Sequence, residues 1–290
     1  SKHAGHWMMK PFFKDHTSYG AVLAMMLPPT MALLSKKDRP TLIRLLLGIA
    51  TVIIAIGLIL SFTRAAWVSL AGVGILFIAM RIGIKLKTLA SIGAVVLVVL
   101  FVNFDTLMID LQRNKQDSSD NLTQHVKSIS NISSDDSNLE RLNRWSCAVS
   151  LFQERPITGW GPGTYQFVYA PFQKSDLKTT ISTNNADGGN AHSEYLGPLA
   201  EQGVMGGVLV LLLIWWASIV GFRLWNNLKN KEERNLAVSI YLGLMTYFIH
   251  GVLNNYLDTD KASAPFWGFL ALLVVLDIES RGKALPKATT

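Results

Sequence analysis

Glu140-Arg141 … Arg144-Trp145 … Pro156-Ile157-Thr158-Gly159-Trp160-Gly161-Pro162-Gly163 … Asn190-Ala191-His192-Ser193-Glu194-Tyr195-Leu196 … Glu201-Gln202-Gly203-Val204-Met205-Gly206: the reading of this stretch decides the fold. It is polar and glycine-rich, yet apolar blocks long enough to cross a bilayer flank it on both sides. A polar, structured loop wedged between membrane helices is the expected seat of function.

Working outward, the composition supports that frame. Of the 290 residues, 50% are hydrophobic and only 16% charged, against roughly 25% charged in soluble domains. Apolar runs near the ~20 residues that cross a ~30 Å hydrocarbon core recur along the chain. The net charge of +7 does not indicate nucleic-acid binding. The basic residues stand in short clusters between apolar blocks, as topology signals do. A single Cys147 permits neither an intrachain disulfide nor a Cys-based metal cluster. The chain opens on Ser1-Lys2-His3, in polar sequence. It is expected to be the C-terminal part of a longer protein, or a processed form.

The expected fold is an all-α polytopic membrane protein, a helical bundle of about seven spans with one large, partly helical outer loop. The apolar blocks cover approximately 17–35, 45–62, 65–80, 88–104, 203–222, 236–256 and 265–279. Pro28 and Pro29 predict a kink in the first, where neighbouring helices can satisfy the freed carbonyls. Basic clusters at 36–39, 81–87, 223–234 and 281–287 all fall on one side, which the positive-inside rule makes cytoplasmic. The chain then divides into 1–104 (an N-terminal loop and four spans), 105–198 (the large outer loop) and 199–290 (three spans and a cytoplasmic tail). Within the loop, Gln116 to Asn138 is rich in Ser, Asp and Asn and reads as irregular. From Leu139 to Phe152 the pattern turns helical, with Leu142, Trp145, Ala148, Val149 and Phe152 on one face, and Pro156 ends that helix. His192 to Gln202 reads as a short helix leading into the fifth span.

Several polar residues could carry chemistry. Arg64 stands at a junction between two apolar blocks, where a charge facing lipid costs several kcal/mol. It either snorkels at the interface or serves an anionic group, and its place on the side of the large loop favours the second. Arg141 and Arg144 sit early in the loop helix. A guanidinium pairs bidentately with phosphate, so Arg64 and Arg141 together are expected to share a cavity and hold a pyrophosphate. His192 alone among the six histidines combines a polar neighbourhood with a membrane-entry position, and histidine is the usual general base near neutral pH. Gly159-Trp160-Gly161-Pro162-Gly163 makes either a tight turn or a close backbone approach to a ligand. It is not a Walker loop, because no Gly-Lys-Ser/Thr follows. Neither an HExxH segment nor carboxylates at ligand spacing suggest a metal, and no cofactor motif is present. A transporter or channel is the rival from another class. It would place paired polar residues near the midplane, often in repeated halves, whereas here they gather at one face and in one loop. A purely structural or binding role for the loop would tolerate loss of His192.

Taken together, these residues resemble the O-antigen ligase/polymerase family of bacterial membrane glycosyltransferases. Ser61-Phe62-Thr63-Arg64-Ala65-Ala66-Trp67 looks like the family's span junction. Arg141-x-x-x-Trp145 with Arg155-Pro156-Ile157-Thr158-Gly159-Trp160-Gly161-Pro162-Gly163 looks like its arginine–tryptophan–glycine segment. His192-Ser193-Glu194-Tyr195-Leu196 and Glu201-Gln202-Gly203-Val204-Met205-Gly206 look like its histidine and Glu-x-Gly segments, and Asn254-Asn255-Tyr256 with Phe266-Trp267 fits its last outer turn. Ser193 stands where Asn is common, as does His16. The resemblance implies a multi-pass protein of the bacterial inner membrane with its active site on the periplasmic side. It implies transfer of a glycan from an undecaprenyl-pyrophosphate donor to a hydroxyl on a lipid or glycan acceptor, as ligase or as polymerase, without a nucleotide sugar, metal or cofactor. His192, Arg64 and Arg141 would be catalytic. Arg144, Gly159, Gly161, Gly163, Asn190, Glu194 and Glu201 would bind substrate.

Overall fold

The computed structural model describes residues 11–36, 38–103, 136–179, 182–183 and 189–284. Most of the stretch expected to be irregular, 116–135, lies outside them, as do His3, His6 and His125. Among the described residues the chain is built of helices and connecting turns, with no strand. In order these are α1 (His16–Leu34), α2 (Thr41–Leu60), α3 (Arg64–Arg81), α4 (Leu86–Val102), α5 (Asp136–Glu154), α6 (Tyr165–Val168), two short 3₁₀ turns, α7 (Leu196–Asn227), α8 (Lys231–His250) and α9 (Asp260–Ala284).

Each of the seven predicted apolar blocks is a helix, and the protein is a polytopic helical membrane protein. Five of them, α1, α2, α3, α7 and α9, are long and apolar enough to cross a bilayer. Helix α4 is apolar as well but shorter, at 17 residues. The remaining helix, α8, opens on Lys231-Glu232-Glu233-Arg234 and is buried without interruption from Ala237 to Phe248. A helix buried all round meets protein rather than lipid, so its serine, threonine and tyrosine side chains cost little there.

Two compact units divide the described residues. The first takes those within Ser1–Leu86, Leu213–His250 and Tyr256–Thr290, the second those within Lys87–Leu212 and Gly251–Asn255. In the first unit α8 packs against α1, α3 and α9. One end of this unit carries the ion pairs Lys36–Glu232 (3.5 Å), Arg223–Asp277 (2.8 Å) and Arg281–Asp277 (2.6 Å). At the other end of α1, His16 Nδ1 donates to Ser61 O (2.9 Å), the Thr63 hydroxyl donates to His16 O (3.0 Å), and Thr17 bonds the Tyr256 hydroxyl. Three of the four basic clusters thus contribute charges to one and the same end of this unit.

Pro28 and Pro29 lie inside α1, and Pro29 lacks the N–H that would bond the Met25 carbonyl one turn earlier. Against that carbonyl lies Gly243 of α8, where a Cβ would stand 2.6 Å from Met25 O and 3.0 Å from Phe269 Cε2. Glycine at this crossing lets two backbones approach, as small residues do between membrane helices. Gly243→Ala is expected to cost about 1–3 kcal/mol through overpacking, read as a lower thermal midpoint in detergent.

Asp15 caps α1. Its Oδ1 accepts from the Ser18 N–H and the Thr17 hydroxyl, each at 2.7 Å. Burial works to raise its pKa, but these bonds, the Ser18 hydroxyl and nearby His16 outweigh it and hold the carboxyl below its ordinary 3.8. A depressed carboxylate stabilises the fold above its unfolded pKa and loses that contribution as pH falls through the folded value. Asp15→Ala should therefore cost about 1 kcal/mol near neutrality. The difference from wild type should vanish on acidification well below pH 3.8, as followed by unfolding at stepped pH.

Candidate functional site

The second unit is assembled around a break in α7. At Gly203 the backbone leaves helical geometry (φ 66°, ψ −158°), at the point where the sequence separates a short helix from the fifth span. Interrupting a helix orphans carbonyls before the break and N–H groups after it. The glycine-rich loop supplies their partners. Trp160 N–H donates to Ala200 O (3.2 Å), Gly161 N–H to Glu201 O (2.7 Å), and Val204 N–H to Pro156 O (2.8 Å). The Glu201 carboxylate closes the arrangement by accepting from the N–H groups of Gly163 and Tyr165, both at 2.9 Å, at the N-terminus of α6, where an anion is favoured. Gly159, Gly161 and Gly163 all have positive φ (63°, 109° and 74°). A Cβ at Gly159 would lie 2.3 Å from the Glu201 backbone, and one at Gly203 would lie 2.4 Å from Ile157 O.

Behind this loop, α5 buries Cys147, Ala148 and Leu151 against Tyr165, Tyr169, Ala191 and Ala200. The buried face is turned from the predicted one, since Val149 and Phe152 are only half-buried. Burial pushes the Cys147 thiol up to about 12, which leaves it un-ionised and inert as a nucleophile at neutral pH. Arg144, expected among the substrate-binding residues, lies inside this core, 5% exposed. It pairs with Glu140 at 2.6 Å and stacks over the Tyr169 ring at 3.9 Å. Burial opposes its charge, but the Glu140 hydrogen bond and charge more than compensate and raise its pKa.

His192 precedes α7 rather than starting a helix; the first helical residue is Leu196. It adopts a left-handed backbone (φ 48°), a conformation that non-glycine residues rarely hold unless their surroundings enforce it. The surroundings here are specific. The Trp145 indole N–H donates to His192 O (3.3 Å), and His192 N–H donates to Asn190 Oδ1 (3.2 Å). Ser193, where Asn was the commoner residue, caps the helix by accepting from Tyr195 N–H (3.3 Å) and Leu196 N–H (3.4 Å). Glu194 N–H donates to Gly251 O (2.8 Å). Arg141 secures the same 251–255 turn, with Nε donating to Leu253 O (3.1 Å) and Nη2 to Asn254 Oδ1 (3.3 Å).

Arg141 and Trp145 are four residues apart on α5 and so share a face. Along that face, one side chain holds the His192 backbone and the other holds the 251–255 turn. In the sequence Trp145 stands out only as part of a pattern; its spacing from Arg141 is the signal of its role. Arg64 belongs to the first unit and opens α3, after a tight turn in which Phe62 has φ 50° and Thr63 N–H donates to the Ser61 hydroxyl (3.3 Å).

The break sets a test of its own. Gly203→Ala forces a side chain into a region open only to glycine and against Ile157 O, and is expected to cost about 2 kcal/mol or more. Gly268→Ala, in α9 with nothing within 4 Å of its added Cβ, should be neutral or slightly stabilising. Thermal unfolding of the two variants side by side checks the contrast.

Residues 49–211 match the family of proteins described as O-antigen ligase. The match covers more than half of the chain and includes Arg64, Arg141, the glycine-rich loop, His192 and the α7 break. A search of curated proteins finds no match. The chain belongs to the O-antigen ligase family, membrane enzymes of glycosyl transfer of the ligase or polymerase type.

Proposed function

We propose that the chain transfers a glycan from an undecaprenyl-pyrophosphate donor to an acceptor hydroxyl at the periplasmic face of the inner membrane, as a ligase. His192 accepts the acceptor proton. Arg64 and Arg141 hold the donor pyrophosphate and stabilise it as it leaves, the service a divalent metal gives elsewhere. Asn190, Glu194 and the glycines of the 159–163 loop border the substrate, while Glu201 and Arg144 hold that border from within. Residues 105–198 face the periplasm and the basic clusters face the cytoplasm.

The observation that carries this reading is the backbone of His192. A histidine held in a left-handed conformation by Trp145 and Asn190, inside the segment shared with the family, is strain of the kind that clusters at functional sites. The gathering of Lys36, Arg223 and Arg281 at one end of the first unit supports the orientation. A polymerase of the same family differs in its acceptor, and the glycan profile of a deletion strain separates the two. Accumulated lipid-linked polymer means ligase; single repeat units left on the acceptor mean polymerase.

Pyrophosphate is already a good leaving group, so the base should contribute roughly 10²–10⁴-fold. In reconstituted transfer from a lipid-linked donor, His192→Ala should lose about that factor at and above neutral pH while protein level and donor binding persist. Arg64→Lys should also fail, because a point charge does not replace the planar fork. Near-normal turnover by His192→Ala across the pH range would remove the base from the mechanism.

A further inference from the structure

Away from the glycine-rich loop and His192, the first unit holds a cavity of about 510 Å³ where the C-terminal end of α1 meets the start of α8. Its size falls within the roughly 300–1,000 Å³ of ligand sites. Lys36, Arg39 and Lys231 line it, with Glu232 and Glu233. Among the described residues the lining therefore carries one net positive charge.

The charges differ in how far they are already engaged. Asn230 Oδ1 caps α8 through the N–H groups of Glu232 (2.8 Å) and Glu233 (3.3 Å), and both carboxylates lie in the first turn, where the helix dipole favours them. Lys36 meets Glu232 at 3.5 Å with side chains 45% and 38% exposed, a pair worth little in water and easily rearranged. Arg39 is the exception. Its Nε is buried and has no hydrogen-bond partner among the described residues. An unsatisfied donor on a permanent cation calls for a charged acceptor.

The setting narrows the acceptor. Arg39 stands just before α2, which leaves Leu42, Leu45, Leu46 and Ile49 exposed at 66, 59, 56 and 47%. Only 6% of the apolar window of α2 is buried. A polar head bound at Arg39 would thus have apolar helix surface beside it for hydrocarbon tails. Basic pockets between membrane helices recognise lipid head groups in this way.

We infer that this cavity binds the phosphodiester of a membrane phospholipid, with Arg39 as its principal ligand, Lys231 and Lys36 as supporting cations, and the acyl chains along α2. The site is separate from glycosyl transfer, and its readout is bound lipid rather than turnover. The experiment is native mass spectrometry of the full-length protein released from nanodiscs that contain phosphatidylglycerol and diacylglycerol. Wild type should retain phosphatidylglycerol and not diacylglycerol. Arg39→Gln should lower that retention about ten-fold, the loss of one charge-assisted contact, and Lys231→Gln should lower it by less. Arg81→Gln, which removes an exposed basic residue elsewhere, should leave it unchanged. Equal retention by wild type, Arg39→Gln and Lys231→Gln would overturn the site. Release of the lipid by excess inorganic phosphate would reassign the cavity to a free anion and overturn the lipid assignment.

Discussion

At Gly203 a long helix gives up its own hydrogen bonds, and a loop more than forty residues earlier in the chain supplies replacements. Unpaired backbone groups are most costly where water is scarce, so the break and the 156–165 loop require each other. The loop needs its glycines because it runs against the helix backbone itself, at distances that leave no room for a Cβ. Once seated, it places Tyr165 and Trp160 against α5, and α5 in turn supports His192 and the 251–255 turn. The geometry of His192 is thus inherited, step by step, from the pairing of three backbone groups around one glycine.

The arginines of the second unit show how position decides the use of a single residue type. Arg144 faces inward and is matched by Glu140, whose other oxygen accepts from the Ser182 hydroxyl. Its planar group also stacks on Tyr169, a contact that suits guanidinium better than ammonium. One turn earlier, Arg141 directs two donors to a carbonyl and an amide oxygen of the 251–255 turn. Two arginines three residues apart therefore do different work, one inside the core of the unit and one at its junction with another segment.

Much of the fold was legible in the sequence, because lipid imposes long apolar runs that need no knowledge of tertiary contacts. The seven blocks fall on seven helices, and the separation of a short helix from the fifth span falls on the break. What periodicity could not reveal were partnerships across distance. Glu201 reads as a polar residue near a ligand, whereas its carboxylate binds two N–H groups of a loop 36 and 38 residues away. Arg141 bonds residues 112 and 113 positions later, and nothing local marks that pairing. The buried face of α5 differs from the predicted one for a related reason. An apolar count does not anticipate that Glu140, Asn143 and Arg144 are buried, with Arg144 paired to Glu140 and Asn143 bonded to Gln173.

The burial of α8 bears on how the protein is made. A segment with four charged residues in its first turn and tyrosine, threonine and serine along its length gains little from lipid by itself. What it gains instead is packing against α1, α3 and α9. Two of those neighbours precede it by well over a hundred residues and the third follows it. Its place is therefore settled by assembly rather than by insertion, and it depends on earlier helices waiting in the membrane and on one that has yet to emerge from the ribosome.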